Sequence, residues 1–396
     1  MGVGKSVQVS VSEGIDRLLG RYLEHCGSPE NARRVSTPGV RWSILPEFPL
    51  LAEVTGACLR DAYLQPDRFV RFTLAHRIYR FERWEDCTPL TPDISYWPGV
   101  ILETSAFGME ATYPEAQDPW TVQAPVVRDA SDVGKLRAPF DRERGAVRLM
   151  LDMSEFCREC LPGFTVRVQA WDRSPVGVAM DLMGAEAFLE STVARPALVR
   201  ELMQRVVDEQ NGWSAARRAC LEELGFPTES SVSPGTGAQS ELDSDCVNLI
   251  ADEVNMPMMS RPVYDELVFP YEQQLVARAG RLNYYHSCGC LTPFLPAIAT
   301  LRPVTQHISA WTDWETAVET FAGTDTVLQK TLHPMRDVLG RDAPGMTRVM
   351  KGIQSTAGDR VKYCLVANGI DNPSGNLGAT LAACDEWVAA AARCMN

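Results

Sequence analysis

From residue 164 onward, short apolar runs alternate with stretches of helical spacing, and this alternation narrows the choice of fold more than any other feature of the chain. The pattern predicts strands at Thr165–Ala170, Val247–Ala251, Leu282–His286, Val304–Ile308, Thr326–Leu332 and Val361–Ala367. Helices are predicted between them, near 176–190, 195–211, 213–224, 261–279, 293–301, 313–322 and 345–356, with a last one at 377–394. In that last helix Leu377, Leu381, Cys384, Val388, Ala391 and Cys394 fall close to one stripe. The strands do not alternate cleanly between apolar and polar, as expected when both faces are covered. Strand–helix repetition on this scale fits a (β/α)8 barrel or an open doubly wound sheet. No Gly-x-Gly-x-x-Gly follows an early strand, which weakens the dinucleotide-binding form of the second.

The beginning of the chain reads differently. Residues 7–26 open on a short alternation and pass into an amphipathic helix from Ser12, and 51–80 again show mostly helical spacing. The segment 84–125, which contains Asp86, Asp93 and Tyr96, is dense in proline and aromatic residues. Such density suits ordered long loops of a pocket wall or a cap packed over a barrel mouth. Asp132–Leu136 starts a new element, so the chain divides into residues 1–130, helices and aromatic loops packed on the barrel, and 131–396, the main part of the barrel. Thr228–Asp245, polar and without apolar period, reads as a surface loop.

Composition removes several function classes. With 38 Lys and Arg against 51 Asp and Glu the net charge is −13. No basic block offers a phosphate-neutralising surface, so neither nucleic acid nor an anionic membrane is an expected partner. No apolar run of spanning or signal-peptide length is found, and a cytoplasmic location is expected. The 12 cysteines then read as buried or ligating thiols. Cys157 and Cys160 have Cys-x-x-Cys spacing in a helical setting with no second pair nearby. Gly2–Ser6 lacks the strand and glycine spacing of a phosphate loop.

The chemistry concentrates in Leu282-Asn-Tyr-Tyr-His-Ser-Cys-Gly-Cys290. Residues two apart on a strand share a face, so His286 and Cys288 point the same way, and Gly289 is expected to let the chain turn. One imidazole and one thiolate suit zinc but do not complete a site; a buried strand end whose His and Cys only fill space is the alternative. Cys290 lies on the same face, but a strand carrying all three would spread them over about 13 Å. Other candidates sit at strand ends, where barrel chemistry is found: Asp172, Asp252 with Glu253, His307, Lys330 with His333, and Cys364. Helix caps and loop hydrogen bonds explain such residues equally well.

Tyr285-His-Ser-Cys-Gly289, together with Met259-Ser-Arg-Pro-Val-Tyr-Asp-Glu-Leu-Val-Phe-Pro-Tyr271, resembles the uroporphyrinogen decarboxylase superfamily and, within it, the zinc-dependent corrinoid methyltransferases. Pro175–Gly184, Ala251-Asp-Glu253 and Val366-Ala-Asn-Gly-Ile-Asp-Asn372 resemble it too, over about 130–390 in all. The resemblance implies a single (β/α)8 barrel with an elaborated N-terminal region and a zinc held by His286, Cys288 and Cys364. It implies methyl transfer from a methylcobalamin-type corrinoid to a thiol or similar acceptor. No Asp-x-His-x-x-Gly pattern occurs here, so the corrinoid is expected free or on a separate small corrinoid-binding protein. Asp252, Glu253, Asp172 and His333 are the expected catalytic groups, and Tyr96, His307 and Asn368 the expected cofactor contacts. The alternatives are a metal-independent decarboxylase or lyase and a non-catalytic small-molecule binder. Cys290 after the glycine and Asp371–Asn376 near the end depart from the family pattern, the latter in a segment expected to shape the substrate mouth. Trp97, Trp120, Trp171 and Tyr96 predict a small or aromatic substrate in place of an octacarboxylate porphyrinogen.

Overall fold

Eight short strands run parallel and carry the site. The computed structural model describes residues 6–36, 40–122, 124–228 and 246–395, so most of the expected loop at Thr228–Asp245, and Gly2–Lys5, lie outside the described residues. The strands are β1 (Trp42–Pro46), β2 (Asp93–Tyr96), β3 (Thr165–Val168), β4 (Val247–Ile250), β5 (Leu282–His286), β6 (Thr305–Ile308), β7 (Val327–Leu332) and β8 (Lys362–Ile370). Six form one parallel sheet in the order β1-β8-β7-β6-β5-β4, and β2 pairs with β3 in a second parallel ladder. A bridge between Arg173 and Ile250 joins the exit of β3 to β4. Ile250 N–H donates to Asp172 O at 2.7 Å and Ser174 N–H to Ile250 O at 2.8 Å. The eight strands therefore follow one another in an arc, β2-β3-β4-β5-β6-β7-β8-β1.

Among the described residues no ladder joins β1 to β2. The backbone groups on their facing edges still need partners, and side chains supply them. The Asp86 carboxylate accepts from Ile44 N–H at 3.0 Å, and Arg80 donates to Ile44 O at 2.9 Å. Arg77 donates to Asp93 O at 2.6 Å. Both arginines come from the helix Pro66–Arg83, which covers the seam and protects two edges that would otherwise invite pairing. The observed core is thus a parallel α/β sheet system with helices around it. The segment before residue 131 supplies β1 and β2 to it, besides helices and loops.

All six predicted strands are present. The expected helix at 176–190 is two, Pro175–Met183 and Ala185–Ala194, parted by Gly184 at φ +85°, which a β-carbon disfavours. The segment 261–279 breaks between Leu267 and Phe269, ahead of Pro270, which has no N–H to give the helix. Conversely 195–211 and 213–224 are one helix, Pro196–Leu224. The aromatic segment 84–125 is more regular than expected: besides β2 it holds a helical turn, Leu102–Ala106, and an antiparallel pair, Ala111–Thr112 with Trp120–Thr121. In the last helix, Leu377–Met395, Cys384, Val388 and Ala391 are buried as expected, with Trp387 meeting Trp42 of β1 edge-on at 5.9 Å. No helix among the described residues is long and apolar enough to cross a membrane.

Candidate metal centre and the cavity beside it

Parallel pairing places the key residues. Ile250 stands opposite His286 across β4 and β5, so Asp252, two residues beyond, arrives beside Cys288. Cys288 N–H donates to Asp252 Oδ1 at 2.7 Å, which fixes that carboxylate against the turn. His286 Nε2 lies 3.1 Å from Cys288 Sγ and 3.4 Å from Asp252 Oδ1. One donor atom from each of the three residues falls within 4.8 Å of the others. Burial disfavours charge on both Asp252 and His286, yet their attraction outweighs it. Asp252 is held well below the usual carboxylate range by His286 and by the Cys288 N–H, and His286 is pushed well above its ordinary value by Tyr284 and Asp252. A nitrogen, a sulfur and an ionised oxygen facing one point form a donor set that zinc accepts.

The second layer fixes the imidazole. Tyr284, two residues before His286 on the same face of β5, gives its hydroxyl proton to Gln329 Oε1 at 2.5 Å. It therefore accepts from His286 Nδ1 at 3.1 Å, so that Nε2 is the nitrogen turned to the centre. His307 packs on His286 with ring centroids 4.2 Å apart. Its Nδ1 faces Ser287 O at 2.8 Å, and its Nε2 accepts from Thr331 Oγ1 at 2.7 Å. Burial and then the neighbouring His286 hold it neutral. His307 braces the Ser287–Cys288 turn, with both nitrogens taken.

Gly289 is required for a different reason from the turn expected of it. Its φ is ordinary, but a β-carbon there would lie 2.0 Å from Asn255 Cβ and 2.7 Å from Asn255 Cγ. Asn255 in turn donates to Asp252 O at 2.5 Å, so the close approach locks the loops that carry Asp252 and Cys288 together. Gly289→Ala is expected to cost about 1–3 kcal/mol of stability and to weaken metal binding, measured by urea unfolding and zinc titration. An unchanged variant would mean that Asn255 moves freely.

The other expected residues disperse. Cys364 of β8 lines a cavity of about 1170 Å³ together with Tyr284, Asn368 and Asp172. Its buried thiol is pushed up to about 12, and Tyr284 stands close enough to both Cys364 and Cys288 that a thiolate on either opposes ionisation of the phenol. The described residues bring Asp252, His286 and Cys288 together, with Cys364 facing the same cavity beside Tyr284. Cys290 turns towards Thr292 at 3.4 Å. Asp172 is buried beside Gln169 and Asn248, and burial, then Glu103, pushes it up to about 8. Lys330, pushed down to about 8 by burial, donates to Ser309 O at 2.7 Å. His333 caps the turn Pro334–Leu339, its Nδ1 accepting from Arg336 N–H at 3.1 Å. Tyr96 is buried and donates to Tyr63 O at 2.8 Å. Of the tryptophans, Trp97 lines the large cavity and Trp120 a smaller one of about 330 Å³ that also contains Asp252, Glu253 and Arg173; Trp171 packs on Phe107 and Trp213.

Sequence reasoning passed over two residues. Tyr284 was within reach of the same two-residue period that pairs His286 with Cys288. Arg173 was not: it binds Glu253 at 2.7 Å and Asp181 at 2.5 Å, with only its position next to Asp172 to mark it.

Among curated proteins none matches the sequence. The family model of uroporphyrinogen decarboxylase (URO-D) matches residues 52–211, less than half of the chain. Among solved structures the chain is similar to a methyltransferase from Methanosarcina mazei, with a TM-score of 0.60 and 17% sequence identity, covering 98% of this chain and 99% of that one. At that identity the likeness speaks for the fold alone. The two findings together establish a distant relationship to the uroporphyrinogen decarboxylase family and a fold like that of the Methanosarcina mazei methyltransferase.

Proposed function

We propose that the chain is a zinc-dependent methyltransferase that moves a methyl group from a methylcobalamin-type corrinoid to a thiol. The observation that carries this reading is the convergence of His286 Nε2, Cys288 Sγ and Asp252 Oδ1 on one point, with Asp252 lining the smaller cavity and Tyr284, the partner of His286, lining the large one. His286, Cys288 and Cys364 would hold the zinc, with Asp252 at the position that an incoming thiol takes over. Zinc there supplies positive charge that stabilises a substrate thiolate at neutral pH. The chain's own residues do the rest. The Tyr284–Gln329 pair keeps the proton on His286 Nδ1, and the ionised Asp252 fixes the Cys288 turn through its N–H. The corrinoid arrives free or on a separate small protein. Purified protein is expected to carry close to one zinc per chain and to demethylate free methylcobalamin in the presence of a thiol, followed by the corrinoid absorbance change. Zinc that stays far below one equivalent after reconstitution would overturn the reading.

A metal-independent decarboxylase is the second reading. The URO-D match favours it, as does Asp172, whose raised pKa lets a buried carboxyl keep a proton for a substrate carbanion. Carbon dioxide release from uroporphyrinogen at an ordinary enzymatic rate, unaffected by chelator, would place it first.

A further inference from the structure

The large cavity holds a second set of groups that the methyl-transfer chemistry leaves unused. Phe48 follows β1 directly after Glu47, and its ring lies 6.2 Å from Trp97, 5.7 Å from Phe72 and 5.6 Å from His76. These rings line the cavity together with two carboxylates, Glu47 and Asp118. Asp118 accepts from Tyr63 at 2.7 Å, and the Glu47 carboxylate has no hydrogen-bond partner among the described residues. Arg34, Arg41, Arg77, Arg80 and Arg167 line the same large cavity, but among the described residues no lysine or arginine lowers the pKa of either carboxylate. Burial, then Asp118 and Asp371, push Glu47 up to about 7, and burial raises Asp118 against its hydrogen bond from Tyr63.

The remaining polar group of the box does not supply the missing charge. His76 is 8% exposed and its Nδ1 has no partner; burial, then Arg77 and Arg80, hold it well below its ordinary pKa and so neutral. Arg77 and Arg80 themselves are turned to the backbone oxygens of the seam between β2 and β1. Two carboxylates beside aromatic walls, with no counter-ion paired to them among the described residues, are costly to bury unless a ligand brings the charge. Aromatic faces add attraction for a weakly hydrated cation.

We propose that the part of the cavity enclosed by Phe48, Phe72, Trp97, Glu47 and Asp118 binds an organic cation, an ammonium carrying methyl or other apolar substituents. Glu47 follows the C-terminal end of β1 and Asp252 that of β4, so box and candidate metal centre open on the same side of the sheet. Tyr284, which holds His286, lines the same cavity. That the bound cation is a reactant rests on the function proposed above; that it binds does not.

The test compares choline with 3,3-dimethyl-1-butanol, its uncharged isostere, by calorimetric titration of the full chain. Choline is expected to bind at least about tenfold more tightly, the scale of a cation–π contact joined by a partly buried carboxylate. Glu47→Gln is expected to remove most of that preference, with thermal unfolding to confirm the fold. Cys288→Ser, expected to lose zinc, should keep the preference, which separates this claim from the metal chemistry. Equal binding of the two probes, or binding of neither, would overturn the proposal.

Discussion

Cys288→Ser and Cys364→Ser are each expected to lose most of the bound zinc and all measurable methyl transfer, while Cys290→Ser keeps the metal and loses little rate. Apparent zinc-binding energies of roughly 10–16 kcal/mol shared by four ligands put each ligand near 3 kcal/mol, about a hundredfold in affinity. Cys288 Sγ is already 3.1 Å from His286 Nε2, and Cys290 is engaged with Thr292 outside the cluster. The informative comparison is Cys364→Ser with Asp252→Asn. If Cys364 is a ligand and Asp252 holds the exchangeable position, the first loses zinc and the second keeps it with weakened retention. Zinc kept by Cys364→Ser and lost by Asp252→Asn would assign the third ligand to the oxygen. Metal content after identical preparation, with circular dichroism on each variant, decides the matter. The large sheet system is expected to stay folded without metal, unlike a domain organised around its zinc.

Arg173→Met is expected to cost roughly 3–5 kcal/mol of stability, the usual penalty for leaving buried charge uncompensated. The Arg173 side chain is 9% exposed and binds Glu253 and Asp181, while the residue's backbone N–H donates to Glu103 Oε1 at 3.1 Å. Burial raises Glu103 and Glu253, and Arg173 is what opposes that rise. Without it their folded-state pKa values stand further above an unfolded value of about 4.3. The deficit is therefore small below that pH and grows as pH rises and the unfolded chain releases protons that the folded one keeps. Urea unfolding at pH 4.5 and pH 8 reads the sign directly. Arg173→Lys should recover part of the loss, since one ammonium replaces one arm of the fork. A variant as stable as the parent at pH 8 would show that water already screens the pair.

What the sequence made legible follows a physical line. β5 matches its expected span residue for residue because five consecutive strand-forming positions end at a turn. β8 continues to Ile370, beyond the expected end at Ala367, because Asn368-Gly369 reads as a stop in isolation. β1 and β2 gave little signal: β1 ends in Pro46, and β2 lies between Pro92 and Pro98. Both are edge strands on the seam, where a proline costs no ladder hydrogen bond. At the centre, His286 and Cys288 were readable from strand periodicity. Asp252 was expected among the catalytic groups and not among the metal ligands, since its place beside Cys288 depends on the pairing of β4 with β5. The Arg173–Glu253 pair joins residues 80 apart, and Glu47 and Asp118 meet only through the fold. No local pattern encodes such contacts.

The seam between β1 and β2 bears on how such a scaffold changes its occupant. In a sealed ring the width of the interior is set by strand number and stagger, so a roomier interior demands that every neighbouring pair slip. Here Asp86 and Arg80 hold the edge of β1 and Arg77 that of β2, so side chains and not a ladder hold the two edges. Shortening or lengthening those residues is expected to resize the chamber while the ladders keep their register. Capacity would then be a quantity that point substitutions adjust in small steps, far in the chain from His286 and Cys288.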